Sequence, residues 1–131
     1  MKPYLIVVPF GALIAGAITA SSSLSVSAQD TINALLMADG EEIYEDNCVG
    51  CHGSDGGGGA GPPLAGAAIL SSGRAIAAQI LNGNEEHGMP PFLDVLDNDE
   101  IAAVGTYIRN SWGNAFGIMA AETVATQRPT E

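Results

Sequence analysis

The spacing of apolar residues predicts that the chain is largely helical. The clearest helix follows Asp97, which can cap its first turn and has Glu100 three residues later. Apolar residues then recur at positions i, i+3, i+7 and i+11, namely Ile101, Val104, Ile108 and Trp112. Because this spacing places four side chains on one face, we predict an amphipathic helix that runs to Gly113.

A middle helix is predicted from Arg74 to Leu81. The pair Ser71-Ser72 offers a cap at its start, and Ile76 and Ile80 share one face because they are four residues apart. The run Asn82-Gly83-Asn84 is typical of a helix end.

A first helix is predicted from Asp39 to Cys48. Asp39 can cap it, and the acidic pair Glu41-Glu42 suits the positive end of the helix dipole. One further short helix is expected between Ala120 and Arg128.

Two long segments between these helices have no apolar periodicity. They run from Gly53 to Leu64 and from Glu85 to Phe92, and they are rich in glycine or proline. The glycine-rich segment lacks the Lys-Ser/Thr ending of a phosphate-binding loop, and no strand leads into it. We therefore expect an all-α fold of three to five helices joined by long loops.

The first 28 residues have the features of a secretory signal peptide. A short charged start precedes an apolar run from Leu5 to Ala20, and Val26-Ser27-Ala28 supplies small residues before a cut between Ala28 and Gln29. An uncleaved membrane anchor is the alternative, but glycines and a proline interrupt a run that is short for a span of ~20 residues. We predict a signal peptide over residues 1–28 and one domain over residues 29–131, which is too short for two cores.

The predicted domain is strongly acidic. It keeps all 15 Asp and Glu residues of the chain against three arginines, Arg74, Arg109 and Arg128. Such a surface repels polyanions, which argues against nucleic acid and anionic lipid as partners. A partner with a basic surface is the natural complement. The alternative is that the acidity only keeps a secreted protein in solution.

The chemistry of the chain is concentrated in Cys48-Val49-Gly50-Cys51-His52, which contains both cysteines and one of the two histidines. This spacing is the attachment motif for a c-type haem: each thiol forms a thioether with the porphyrin, and the histidine is an axial ligand of the iron. A zinc site needs four ligands and would find only His87 elsewhere. A thioredoxin-like redox pair needs a strand-helix context that this segment lacks. Export agrees with haem attachment, because that chemistry needs reduced thiols delivered to an oxidising compartment, which in a bacterium is the periplasm.

With these residues in view, the chain resembles the class I c-type cytochromes over residues 39–113. In that family a helix leads into the haem motif, and a Gly-Pro loop, a middle helix, a methionine loop and a last helix follow. Gly40 and Tyr44 match the residues at which the family's terminal helices cross, with Tyr107 on the opposite helix. The run from Gly88 to Phe92, together with that from Tyr107 to Asn114, resembles periplasmic cytochromes that accept electrons from dehydrogenases.

The resemblance implies one covalently bound haem c that is held by Cys48, Cys51 and His52. Gly61-Pro62-Pro63-Leu64 matches the family's loop, so the Pro62 carbonyl is expected to accept a hydrogen bond from the His52 ring. Met89 is expected as the other axial ligand of the iron, because its soft sulfur favours the ferrous state. His87, two residues away, is the alternative ligand.

Two occupied axial positions predict an electron carrier rather than an enzyme. We expect a periplasmic monohaem protein that passes electrons from a dehydrogenase to a respiratory acceptor, with no membrane contact if the signal peptide is cleaved. One alternative is a membrane-tethered cytochrome subunit of a respiratory or dehydrogenase complex; another is a haem sensor or small peroxidase from which Met89 dissociates. Candidates for an apolar docking patch are Ala60, Pro63, Met89 and Phe92.

Overall fold

A computed structural model describes residues 27–130 of the chain, and this part contains five α-helices. They are α1 (Ala28–Asn47), α2 (Val49–His52), α3 (Gly73–Asn82), α4 (Asn98–Asn110) and α5 (Ala121–Ala125). Short 3₁₀ turns at Ala68–Ser71 and Glu85–His87 lie in the connecting loops. The described residues form no β-strand, so the predicted all-α class is confirmed. No helix between residues 27 and 130 is both long and apolar enough to cross a bilayer.

Helix α1 begins well before the predicted start. Ser27 caps it through its hydroxyl, which accepts from the backbone N–H of Asp30 at 3.1 Å, and the Asp30 carboxylate accepts from the backbone of Ser27 at 3.3 Å. Asp39 lies inside the helix, so the prediction that it caps the helix was wrong. The predicted signal peptide lies outside the described residues except for Ser27 and Ala28, and its boundary stays a prediction.

Helices α1 and α4 cross at Gly40. A Cβ at Gly40 would collide with the backbone carbonyl of Ala103 and would lie 2.8 Å from the Cβ of Tyr107. One turn later the buried ring of Tyr44 packs on the ring of Tyr107, with centroids 5.4 Å apart. The expected close approach of the two helices is therefore present, and the missing side chain of Gly40 permits it.

The caps of α3 and α4 follow the predicted pattern. Ser72 accepts from the backbone of Ala75 at 3.2 Å, and Asp97 and Glu100 each accept from the other's backbone N–H, at 2.9 and 2.8 Å respectively. Helix α4 ends at Asn110, earlier than predicted, because the backbone becomes extended at Ser111 (φ −99°, ψ 164°), and Trp112 follows with a left-handed φ of 53°.

A buried arginine ties the segment after α4 to the rest of the fold. The Arg109 guanidinium donates to the carbonyl oxygens of Leu70, Phe116 and Ile118, at 2.9, 2.7 and 3.2 Å. Burial lowers its pKa from the ordinary arginine value. The guanidinium thus stabilises two loops through hydrogen bonds to their backbones, without a carboxylate partner.

Substitution of Gly40 by alanine should destabilise the protein strongly. The added methyl group meets backbone on α4, which cannot rotate away, and overpacking typically costs about 1–3 kcal/mol or more. Urea unfolding of the haem-loaded protein measures the loss. Ala38→Ser on the exposed side of α1 is the control and should stay within about 0.5 kcal/mol of the original protein. An unchanged or higher stability in Gly40→Ala would contradict the close crossing.

Candidate haem site

The Cys-x-x-Cys-His motif forms a single helical turn directly after α1. The backbone N–H of Cys48 donates to the carbonyl of Tyr44 at 2.8 Å, so α1 continues to the motif without a break in hydrogen bonding. The N–H groups of Cys51 and His52 both donate to the carbonyl of Cys48, at 3.1 and 3.0 Å. Both thiols and the imidazole are thereby held on one short element.

The two cysteines differ in exposure. Cys48 is half-buried and packs on the hydrophobic core, whereas Cys51 is exposed. Burial, followed by the nearby charge of Cys51, raises the pKa of the Cys48 thiol to about 11.

The imidazole of His52 is buried and anchored by a carbonyl of the following loop. Its Nδ1 lies 2.9 Å from the carbonyl oxygen of Pro62. Because a carbonyl can only accept, Nδ1 carries the hydrogen of this bond, and in the neutral ring Nε2 is then the nitrogen with the free lone pair. Gly61 lies against the ring, since a Cβ there would be 2.8 Å from Cε1 of His52. The tautomer leaves Nε2 ready to bind a metal.

The loop that carries Pro62 folds back on the motif. Gly58 donates to the carbonyl of His52 at 2.8 Å, and Gly61 donates to the carbonyl of Cys51 at 2.9 Å. The Tyr44 hydroxyl donates to the carbonyl of Gly53 at 2.7 Å, and burial is the main cause that raises its pKa to about 12. These bonds place the Pro62 carbonyl opposite His52.

Met89 lies on the loop after α3. The backbones of Asn84 and Met89 exchange two hydrogen bonds of 2.8 and 3.0 Å, which close the loop between them. Gln79 on α3 donates its side-chain amide to the sulfur of Met89 at 3.5 Å and to the carbonyl of Gly83 at 3.1 Å. The thioether is therefore held half-buried at the edge of the core.

His87 is placed differently from Met89. It lies in the 3₁₀ turn Glu85–His87 and is exposed, and its Nδ1 is 3.0 Å from the side-chain oxygen of Asn84. Met89 instead packs on the core.

The surroundings of these side chains suit a large apolar group. Cys48 and Met89, which lie on different elements, both pack on one continuous buried cluster, as does Leu64 from the loop that holds Pro62. That cluster includes Leu70, Ile76, Ile80, Leu81 and Ile101. A porphyrin attached at the motif would have apolar neighbours from several elements, so the residues present fit the group.

Several residues of this region differ from the sequence-based prediction or were absent from it. Phe92, predicted in an exposed docking patch, is only 8% exposed and belongs to the core, whereas Ala60 and Pro63 are exposed. The contact of Gln79 with Met89 has no sequence signal of its own. Asn114 is buried and bonds to Leu64, Gly66 and Ile108, so it fastens the Pro62 loop to α4.

Comparison with known proteins agrees with this arrangement. Residues 36–108 match the family model described as cytochrome c oxidase, cbb3-type, subunit III. The chain is 39% identical over 98 residues to cytochrome c-552 of Thermus thermophilus, covering 63% of this chain and 66% of that protein. It is 37% identical over 84 residues to cytochrome c6 of Cladophora glomerata, covering 59% of this chain and 90% of that protein.

A longer relative is the cbb3-type cytochrome c oxidase subunit FixP of Azorhizobium caulinodans, with 32% identity over 93 residues. That match covers 63% of this chain but only 32% of FixP. The chain thus spans about a third of FixP and just under two thirds of the Thermus protein.

The fold and these matches define a small α-helical protein with a covalently attached cofactor. The chain belongs to the cytochrome c family and carries one haem c.

Replacement of Gly61 by alanine should displace the His52 ring. The added Cβ would lie 2.8 Å from Cε1 and 3.0 Å from Nδ1 of His52, so we expect a loss of about 1–3 kcal/mol and a changed Soret spectrum in the haem-loaded protein.

Gly59→Ala is the matched control in the same loop. Its Cβ would meet the carbonyl oxygen of Cys51 at 3.1 Å and would lie beyond 4 Å of any His52 atom. We expect this variant to keep the original spectrum. Identical spectra in the two variants would contradict the contact between Gly61 and the imidazole.

Proposed function

We propose that this cytochrome is an exported, His52/Met89-ligated carrier that passes single electrons from a dehydrogenase to a respiratory acceptor. Bound haem supplies the ferric–ferrous couple. The chain's own residues hold the axial ligands, exclude water and form the surface that partners contact.

His52 is the first proposed ligand. The hydrogen bond from Nδ1 to the Pro62 carbonyl fixes the ring orientation and increases electron density at Nε2, which makes the imidazole a stronger donor. The His52 ring is also held by its position in α2 and by its contact with Gly61. A rigid ligand changes little between oxidation states, which suits repeated electron transfer.

Met89 is the second proposed ligand. Its sulfur is half-buried beside the core, and the loop is fixed by Gln79 and by the paired backbones of Asn84 and Met89. His87 is exposed and directed to Asn84. A soft, neutral thioether raises the reduction potential compared with a second imidazole. These placements support Met89 over His87.

The choice of Met89 is tested by the sulfur-to-iron charge-transfer band of the oxidised protein. Met89→Ala should abolish the band because the thioether is lost, while His87→Ala should keep it because an exposed imidazole contributes nothing. Absorption spectra of the two purified variants make the comparison. Persistence of the band in Met89→Ala, or its loss in His87→Ala, would refute this ligand assignment.

The site of action proposed for the carrier is the periplasm. Haem attachment requires two free thiols, and Cys48 and Cys51 are both unpaired in the structure. The apolar run from Leu5 to Ala20 supports export, and cleavage as predicted gives a mature protein that begins at Gln29 and no longer contains the Ser27 cap of α1. The intact mass of the native protein distinguishes this form from a retained anchor.

A membrane-tethered oxidase subunit is the second candidate function. It is favoured by one observation, namely that the matching family model and one relative carry the names of cbb3-type oxidase subunits. A retained segment over residues 5–20 and co-purification with an oxidase would support it.

The charge distribution supports a basic docking partner. Five carboxylates line a groove between α1 and the start of α4, namely Asp39, Glu42, Asp46, Asp99 and Glu100. Two of the three described arginines are engaged with backbone carbonyls: Arg109 as above, and Arg128 with those of Leu93 and Leu96 at 2.6 Å. Among the arginines of residues 27–130, only Arg74 is exposed. The acidic groove approaches the haem motif, since Asp46 is two residues before Cys48.

Docking at the acidic groove predicts a strong dependence of electron transfer on salt. With a small basic redox protein as donor, the second-order rate should fall roughly tenfold between low and high ionic strength as attraction is screened. At low salt Asp46→Asn should slow the reaction about two- to threefold. Glu122→Gln, an equal charge change on α5, is the control and should have a smaller effect. Equal effects of the two variants would contradict docking at the groove.

A further inference from the structure

Trp112 has a backbone conformation that needs support from its surroundings. It is the one residue other than glycine between 27 and 130 with a positive φ, at 53°. For a bulky side chain this left-handed conformation costs about 1–2 kcal/mol. The contacts of its indole must therefore compensate the strain.

Those contacts reach the loop that follows His52. The indole Nε1 donates to the carbonyl oxygen of Ser54 at 3.2 Å. The ring lies directly over Gly56, where an added Cβ would be 2.6 Å from Cδ2 of the indole. The ring also packs on Tyr44 and Tyr107, with centroids 5.1 and 5.6 Å away. Trp112 thus holds residues 54–56 against the crossing of α1 and α4.

Gly56 is also the residue at which the Pro62 loop closes. Its carbonyl oxygen accepts from the backbone N–H groups of Leu64 and Ala65, at 2.7 and 3.0 Å. Pro62 lies between these two ends of the loop, and its own carbonyl is bonded to Nδ1 of His52. A shift of Gly56 would therefore move the oxygen that orients the imidazole.

We infer that Trp112 is a positioning residue for His52. By holding Gly56, it keeps the loop closed and keeps the Pro62 carbonyl hydrogen-bonded to Nδ1 of His52. This role rests on the proposed function of His52 as an iron ligand. Trp112 acts through the backbone of Gly56, which lies against its indole.

Two glycines of the same loop provide a matched test. Gly56 and Gly66 both have positive φ, at 66° and 71°, so alanine costs each a similar backbone strain. Only at Gly56 does the new Cβ strike the indole, because nothing lies within 4 Å of the position at Gly66. A difference in loop exchange between the variants is therefore expected from the contact of the new Cβ with the indole.

The readout is solvent exchange of the His52 Nδ1 proton and of the Leu64 amide, measured by NMR on the reduced haem-loaded protein. Gly56→Ala should accelerate both exchanges roughly tenfold relative to Gly66→Ala, because loss of the contact lets the loop open locally. The amides of α3 should be unaffected. Equal exchange in the two glycine variants would overturn the inference.

Trp112→Gly provides a second test in case Gly56→Ala does not fold. It removes the indole and at the same time relieves the positive φ, so backbone strain cannot explain its effect. We expect the same selective acceleration, of roughly tenfold. Exchange within about twofold of the original protein would overturn the positioning role.

A matched core variant separates this role from general destabilisation. Val124→Ala removes buried atoms of α5, which should lower the unfolding free energy while exchange of the Nδ1 proton stays within about twofold of the original protein. A comparable acceleration in Val124→Ala would show that Trp112 acts only through overall stability. Failure of the proposed ligand role of His52 would give a different result. In that case the Nδ1 proton of His52 would already exchange freely in the unsubstituted protein.

Discussion

The hydrogen bond from His52 to the Pro62 carbonyl is the constraint on which the haem site depends. Such a bond contributes only about 1 kcal/mol by itself, so it cannot hold a glycine-rich loop in place. The loop is instead closed by backbone bonds at Gly56, Gly58 and Gly61, and the bond to His52 is made because the carbonyl is already in position. Glycine is needed at 61 because any side chain would occupy the space of the imidazole.

The crossing of α1 and α4 extends that constraint to the rest of the molecule. Gly40 brings the helices together, and Tyr44, Tyr107 and Trp112 form an aromatic group beside the crossing. Two of these rings donate hydrogen bonds to the carbonyls of Gly53 and Ser54, immediately after the haem motif. The packing that stabilises the fold and the geometry that orients the ligand are therefore parts of one contiguous structure.

Much of this arrangement was predictable from the sequence because the signals were local. The caps at Ser72 and Asp97 and the helix face at Ile101, Val104 and Ile108 follow from spacing and residue type, whereas the close approach at Gly40 follows from the resemblance to the class I c-type cytochromes. The predictions were wrong where contacts between residues far apart in the sequence determine the local structure. Asp39 has the composition of a cap, but the cap at Ser27 starts the helix earlier. Trp112 fits the helical stripe, yet its contacts with Ser54 and Gly56 turn it out of the helix, and Phe92 is drawn into the core. No local pattern indicates that Gln79 reaches Met89.

The tautomer of His52 tests the central claim most directly. Nitrogen-15 NMR of the reduced, haem-loaded protein distinguishes a protonated ring nitrogen from one that binds a metal. The structure predicts a proton on Nδ1 that exchanges slowly because it is bonded to Pro62, and no proton on Nε2. A proton on Nε2, or an Nδ1 proton that exchanges as freely as that of a solvent-exposed imidazole, would contradict the account of how this site is built.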